Sequence, residues 1–361
     1  MSSPSPWLVV ARSVALAAVV IGLAVDVGWA QKNKKKRAPR PTFPAYTDVS
    51  DAGPDHGVQG EYVGTIKGAN GDMEIAVQVI ARGDGKFDAV LYEGGLPGAG
   101  WSREKPRHLL SLYQTKGGDG SKAYLFQGEG TEYRVAVLPD GGMGVKNSGG
   151  QVVGRLKKVE RTSPTLGAKA PAGAIVLFDG TNLDAFTGGG LTDDGLLAVG
   201  AAGEERQEAI TKREFGDFKL HLEFQSPYMP TAEGQQRGNS GVYVQNRYEI
   251  QVLDSFGLNG ENNECGGIYQ QSQPAVNMCL PPLSWQTYDI DFTAPKFDAA
   301  GKKTANARIT LLHNGVAIYD GLELSNVTPG GIATEGATGP IKLQDHHNPV
   351  RFRNIWIVEK N

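Results

Sequence analysis

A chain of 361 residues is long enough for two domains of ordinary size, each with its own core. Its 36 basic and 39 acidic side chains leave a formal net charge of −3, which removes any electrostatic case for nucleic-acid binding. The 49 glycines and an aromatic content of 8% suit many short strands joined by tight turns and argue against a helical bundle.

The N-terminus reads as an export signal. Arg12 precedes an apolar run from Val14 to Val25, and Gly28-Trp29-Ala30 supplies a small-x-small cleavage site, so residues 1–30 are expected to be a signal peptide. The apolar run is nearer a signal core than a full membrane span. The protein is therefore expected in the periplasm or outside the cell; the alternative is a membrane anchor made by an uncleaved N-terminus. The basic run Lys32 to Arg37 belongs to a Pro-rich linker, residues 31–47.

Residues 48–160 read as a small all-β domain. The apolar runs Met73 to Ile80 and Lys86 to Tyr92 flank Arg82-Gly83-Asp84-Gly85, a hairpin signal. Lys122 to Gln127, Tyr133 to Leu138 and Gly144 to Asn147 are further strand-like runs, and no helical period persists, so a β-meander or small barrel is expected. The loop Gly94 to Trp101 is glycine-rich but lacks the Lys-Ser/Thr ending of a phosphate loop. Trp101 reads as a loop anchor rather than a sugar platform. Nothing here assigns this domain a function. Residues 161–173 form a Pro/Ala/Gly-rich link.

From residue 174 to 361 the strands alternate cleanly. Phe218, Leu220, Leu222 and Phe224 point one way, and Lys219, His221, Glu223 and Gln225 the other, which predicts a solvated His221. Gln286 to Thr293 alternates likewise and places Asp289 and Asp291 on one face, expected to be solvent-exposed. Asn314-Gly315 between two apolar runs is a strong hairpin signal. In the last strand the apolar parity flips between Arg353 and Ile355, which predicts a bulge. Antiparallel strands spaced by turns indicate a two-sheet sandwich. Cys265 and Cys279 are expected to pair as one disulfide in an exported protein.

The stretch Arg237 to Ser255 carries the most pointed pattern. Tyr248, Ile250 and Val252 form one face of a strand, and Glu249 and Gln251 the other, an open face on which a polar ligand could rest. Three segments hold most of the reactive side chains: this one, Glu264 to Gln270, and Gln344 to Arg353. No serine nucleophile elbow, zinc-protease helix, Rossmann fingerprint or P-loop occurs.

The segments GNSGVYVQNRYEIQVLDS, CGGIY, PPLSWQTYDIDFTAP, LLHNGVAIYDG and GPIKLQDHHNPVRFRNIWI occur in the order of the 3-keto-disaccharide hydrolase domain family, once classed as a domain of unknown function, and strongly resemble it. The resemblance runs from about Ala174 to Lys360. It implies a concanavalin A-like jelly roll following the smaller β domain, and a carbohydrate or glycoside substrate. It also implies a particular chemistry. A ketone at C3 acidifies the C2 hydrogen, a base removes it, the C1 substituent leaves, and water adds back. Such a site needs a base, an electrophile and an acid. On the matching positions Glu249 is the expected base with His346 as competitor. Arg247 and Arg351 are expected to stabilise the enolate. Asp254, Asp345 and Arg353 are expected to orient groups or bind the ring, and Asn239, Tyr243 and Gln344 to hydrogen-bond the sugar. No nicotinamide is expected in this chain, since a separate sugar 3-oxidoreductase would supply the keto sugar. A divalent metal held by carboxylates and His346 is an open possibility. The rival reading is a non-catalytic, lectin-like carbohydrate-binding module of a surface or periplasmic protein, since the fold alone does not fix function.

Overall fold

Period-two patterning governs the architecture. The computed structural model describes residues 42–68, 70–116, 122–200 and 207–360. The expected signal peptide, and the basic run within the 31–47 linker, lie outside the described residues. Eight antiparallel strands close into an up-and-down barrel: β1 (Gly60–Gly68), β2 (Gly71–Gly83), β3 (Lys86–Glu93), β4 (Arg107–Lys116), β5 (Lys122–Gln127), β6 (Arg134–Val137), β7 (Met143–Lys146) and β8 (Val152–Val159). Each pairs with its sequence neighbour, and β8 returns to β1, so no edge is left open. The β2–β3 turn places Gly83, Asp84 and Gly85 at positive φ, the conformation that its Gly-Asp-Gly sequence favours.

Strand β2 is buried on both faces. Ile75, Val77 and Val79 fill the barrel, whereas Ala76 and Ile80 belong to the core shared with the second module. That second module is a two-sheet β-sandwich. Its strands are β9 (Ile175–Phe178), β10 (Phe186–Thr187), β11 (Gly190–Leu191), β12 (Leu197–Val199), β13 (Ala209–Thr211), β14 (Phe218–Gln225), β15 (Ser240–Val244), β16 (Tyr248–Val252), β17 (Trp285–Thr293), β18 (Ala307–His313), β19 (Val316–Leu324), β20 (Lys342–Leu343) and β21 (Val350–Glu359). The larger sheet runs β11-β12-β21-β14-β17-β18-β19 with β9 on β21, and the smaller runs β10-β13-β20-β15-β16. Phe218, Leu220, Leu222 and Phe224 meet Val242, Ile250 and Val252 in the core between them. Each such side chain contributes roughly 1.5–3 kcal/mol on full burial. The chain is thus all-β, with a barrel followed by a sandwich consistent with a jelly roll. Asn314 and Gly315 both sit at positive φ in the β18–β19 hairpin. The predicted bulge is at Asn354, which has φ 45° where the β14–β21 register shifts.

Residues Phe43–Asn361 form one compact unit. Trp101 packs edge-on against Tyr92 at 5.1 Å between centroids, as a loop anchor. The 161–173 connection is bound down rather than loose over its first half. Arg161 grips Glu61 through two bonds of 2.6 Å, Thr165 Oγ1 donates to Asp289 Oδ2 at 2.6 Å, and the Gly167 N–H donates to Glu223 Oε1 at 2.6 Å. This strap corrects two expectations. His221 is 1% exposed rather than solvated, bonded to Asp289 Oδ1 at 2.6 Å, and Asp289 is itself engaged by the strap. Alternation reported correctly that His221 leaves the sandwich core, but the outer face is covered by the chain itself.

The expected disulfide is also corrected. Cys265 and Cys279 are both free and buried in the sandwich core. The Cys265 thiol lies 3.2 Å from the Tyr288 hydroxyl, and Cys279 Sγ faces the Leu253 and Leu280 carbonyls. They act as small apolar side chains with weak S–H donors.

Candidate active site

The site is built on the face of the smaller sheet that points away from the sandwich core. Strands β15 and β16 form a hairpin in which Tyr243 stands opposite Glu249 and Gly241 opposite Gln251. Strand β20 adds on the other side of β15, with Lys342 opposite Tyr243, and the Gln344 N–H donates to the Gly241 carbonyl at 2.8 Å. Beyond β16, the Tyr269 N–H donates to the Glu249 carbonyl at 3.1 Å, next to the Ile250–Ile268 bridge. Cross-strand neighbours share a face. One rung therefore reads Lys342, Tyr243, Glu249, Tyr269, and the next reads Gln344, Gly241, Gln251.

Glu249 is at the centre. It is 3% exposed. The Tyr243 hydroxyl donates to its Oε2 at 2.7 Å. With its amide turned over, Gln251 donates to Oε1 at 3.0 Å. Burial pushes the Glu249 carboxyl up to about 7, against the opposing pull of the Tyr243 hydrogen bond and the Lys342 charge. The Tyr243 hydroxyl is raised, first by burial and then by Glu249, so it stays protonated as a donor. Gly241 makes room for the acid, since a Cβ there would lie 2.4 Å from Glu249 Oε1. The Lys342 ammonium sits 3.9 Å from the centre of the Tyr243 ring, bonds the Gly330 carbonyl at 2.7 Å and lies 3.9 Å from Glu208. Gln344 donates to the Tyr243 hydroxyl at 3.2 Å, and its buried Oε1 has no partner among the described residues.

A rim of amides continues the site. Asn239 donates to Gln235 Oε1 at 3.1 Å, and its backbone N–H to Asn348 Oδ1 at 2.7 Å. Asp345 is buried and shapes the 345–348 turn. Its Oδ1 accepts the His347 N–H at 2.7 Å, and its Oδ2 the Gln207 N–H at 2.8 Å. His346 is half-buried in that turn. Among the described residues no three His, Cys, Asp or Glu side chains gather as ligands for one metal ion.

The structure thus brings Glu249, Tyr243 and Gln344 together, with Asn239 along the amide rim and Asp345 and His346 in the adjoining turn. The four remaining residues lie elsewhere. Arg247 donates to the backbone carbonyls of Thr334, Gln245 and Thr338, pinning the 334–338 loop. Asp254 is locked in a buried ion pair with Arg237 at 2.6 Å. Arg351, on the larger sheet, bonds the Thr47 carbonyl and faces Asp48. Arg353 bonds Glu223 at 2.6 Å and packs over Trp285 on the far side of the sandwich. The physical reason is common to all four: each cation or anion is consumed by a local partner before it can reach a ligand. Lys342, Tyr269 and Glu208 are site neighbours that the sequence reading missed. Lys342 had a signal, since it alternates with Gln344 against Ile341 and Leu343 and so belongs to the polar face of that strand.

Comparison with known proteins gives the arrangement a family. Residues 173–358 match the model of the 3-keto-alpha-glucoside-1,2-lyase-like domain, about half of the chain. A candidate glycosyl hydrolase of known structure from Parabacteroides distasonis ATCC 8503 is 38% identical over 53% of this chain and 85% of its own, with a TM-score of 0.48. A second candidate glycosyl hydrolase from the same organism is 17% identical over 52% of this chain and 95% of its own, with a TM-score of 0.39. No curated protein matches the chain. On the family match, the chain belongs to the 3-keto-alpha-glucoside-1,2-lyase-like domain family and is a carbohydrate-active protein.

Proposed function

We propose that this protein cleaves 3-keto-glycosides by removing the C2 proton and eliminating the C1 substituent. The observation that carries this reading is Glu249, a buried carboxyl raised to about 7 and held by Tyr243 within a polar site. A base that takes a carbon-bound proton near neutral pH works best with a pKa close to that pH. In the proposed step Glu249 takes the C2 proton, and the electron pair moves into an enolate on the C3 oxygen. The enolate pair then re-forms the C3 carbonyl and makes a C1–C2 double bond as the bond between C1 and the glycosidic oxygen breaks, and the departing oxygen takes a proton from solvent. Water adding across C1 and C2 completes net hydrolysis. The buried Lys342 ammonium, 3.9 Å from the centre of the Tyr243 ring, would supply positive potential for the developing enolate charge. The unpartnered Gln344 Oε1 accepts a sugar hydroxyl, and half-buried Tyr269 flanks the base as a surface for the ring. The two arginines expected to stabilise the enolate are not at this site, so the weight rests on Glu249 and Lys342.

The keto sugar would come from a separate sugar 3-oxidoreductase, and the protein would act after export. The test is a product assay of the protein with 3-keto-glucosides and their unoxidised parents, with and without chelator. Cleavage of the keto forms alone supports elimination, and loss with chelator adds a divalent metal. Saturable glycan binding without cleavage replaces this reading with the lectin-like one. Full turnover by both Glu249→Gln and His346→Ala sinks the residue assignment.

A further inference from the structure

One flank of the Glu249 site is irregular chain. Residues 253–284 join β16 to β17 without a strand or helix of their own. Within them Tyr269 stands beside Glu249. Its N–H donates to the Glu249 carbonyl at 3.1 Å, and the Ile250–Ile268 bridge sets the register that puts both side chains on one face. A connection of this length keeps one conformation only where its backbone groups are bound. From the sandwich, the Tyr319 hydroxyl accepts the Ile268 N–H at 3.2 Å and donates to the Ser272 carbonyl at 2.7 Å. That clasp holds the inner turn; the legs on either side of it, around Gly260 and Ala275, are gripped from the barrel.

Arg103, in the loop between β3 and β4, bridges the two legs. Its Nη2 donates to the Gly260 and Pro274 carbonyls at 2.9 Å each, and its Nε to the Ala275 carbonyl at 2.9 Å. The next barrel arginine, Arg107, donates to the Gly257 carbonyl at 2.7 Å. A planar guanidinium carries five N–H donors in a fixed fork, so one side chain can tie carbonyls of two chain segments at set angles. The fork has a rigid base. Trp101 Nε1 donates to the Lys105 and Pro106 carbonyls at 3.2 and 3.1 Å, and its ring packs on Tyr92, which belongs to the core shared with the sandwich. Arg103 is itself exposed, and it lies outside residues 173–358 that carry the family match.

We propose that Arg103 is a positioning residue for the Glu249 site, and that through it the barrel buttresses the site's irregular flank. By holding the 257–275 segment, Arg103 sets where Tyr269 stands against a bound sugar ring. The substrate side of this rests on the C2-abstraction reading; the link from Arg103 to Tyr269 rests on geometry alone. Arg103 reaches no group that changes charge or bonding in the reaction. Its loss should therefore weaken substrate binding and spare the chemical step.

The test compares the wild type, Arg103→Ala, Tyr269→Ala and the double variant, each as the full chain, with a 3-keto-glucoside as substrate. Arg103→Ala should raise KM about tenfold with kcat within about twofold of the wild type. Tyr269→Ala should raise KM at least as much. Adding Arg103→Ala to it should change KM by less than about twofold, because the residue being positioned is gone. Hydrogen exchange at the amides of residues 266–270 should be about tenfold faster in Arg103→Ala, with circular dichroism unchanged. A KM that Arg103→Ala leaves unchanged overturns the proposal, as do effects of the two substitutions that simply multiply. Should Arg103→Ala lose the fold, Arg103→Lys, which keeps the charge without the fork, takes its place under the same criteria. A wild type that does not turn over the keto sugar sinks the reaction assigned to Glu249 instead. Exchange then decides: faster exchange at 266–270 upholds the positioning of Tyr269, and unchanged exchange refutes it.

Discussion

Replacing Glu249 by glutamine should make the protein more stable at neutral pH while removing its activity. The carboxyl is raised from 4.5 to about 7 in the folded chain, chiefly by burial. Between those values the folded state keeps a proton that the unfolded chain has released, so the native state binds more protons. Stability from this group is therefore fully present below pH 4.5 and is lost as pH rises through 7. A shift of this size corresponds to about 3 kcal/mol, at about 1.4 kcal/mol per pH unit. Glutamine keeps an acceptor for Tyr243 and never ionises. Denaturant unfolding of the wild type and the Glu249→Gln variant, measured from pH 4.5 to 8, should give a stability difference that grows in favour of the variant by about 3 kcal/mol. Turnover of a 3-keto-glucoside should fall by at least about a hundredfold, the usual scale of a lost general base. Wild-type kcat/KM should rise with pH and reach half its plateau near 7. A stability difference that stays flat across this range would refute the claim that burial holds Glu249 in its raised state, and with it the argument for its role.

Three further predictions follow from the neighbours of Glu249 and from the thiols. Lys342→Met removes a positive charge that holds the Glu249 carboxyl down, so the acid limb of kcat/KM should move to higher pH, by about 1 unit, as for loss of an opposite charge nearby; an unmoved limb would show that the ammonium does not reach the base. Gly241→Ala puts a methyl 2.4 Å from Glu249 Oε1 and should displace the carboxylate, costing on the order of a hundredfold in turnover with the fold retained by circular dichroism. Wild-type rates in this variant would count against the cradle. Thiol titration should find Cys265 and Cys279 unreactive in the native chain and both reactive once it is unfolded without reductant; two unreactive thiols after unfolding would restore the disulfide.

Much of the framework could be read from the sequence because strand periodicity is a local property. Alternation in Phe218–Gln225 and Gln286–Thr293 identified core faces, the Asn314-Gly315 pair marked a hairpin, and the parity flip before Ile355 located the bulge at Asn354. The same rule placed Glu249 and Gln251 on the face away from the core. Periodicity says which face a side chain takes but not what lies on that face. His221 and Glu249 both point away from the sandwich core; the strap around Thr165 and Gly167 covers the first, while the second stands among donors at a polar site. Likewise Arg247, Arg351, Arg353 and Asp254 resemble ligand-binding groups in one dimension, yet each is engaged within the fold, Arg247 by backbone carbonyls and the other three by a side chain of opposite charge. Strand runs such as Lys86–Tyr92 and Phe218–Gln225, their inward faces and the family motifs were legible in the residues themselves. Tertiary structure alone decided which polar side chains keep capacity for a ligand, because burial and charge pairing depend on contacts between segments far apart in the chain.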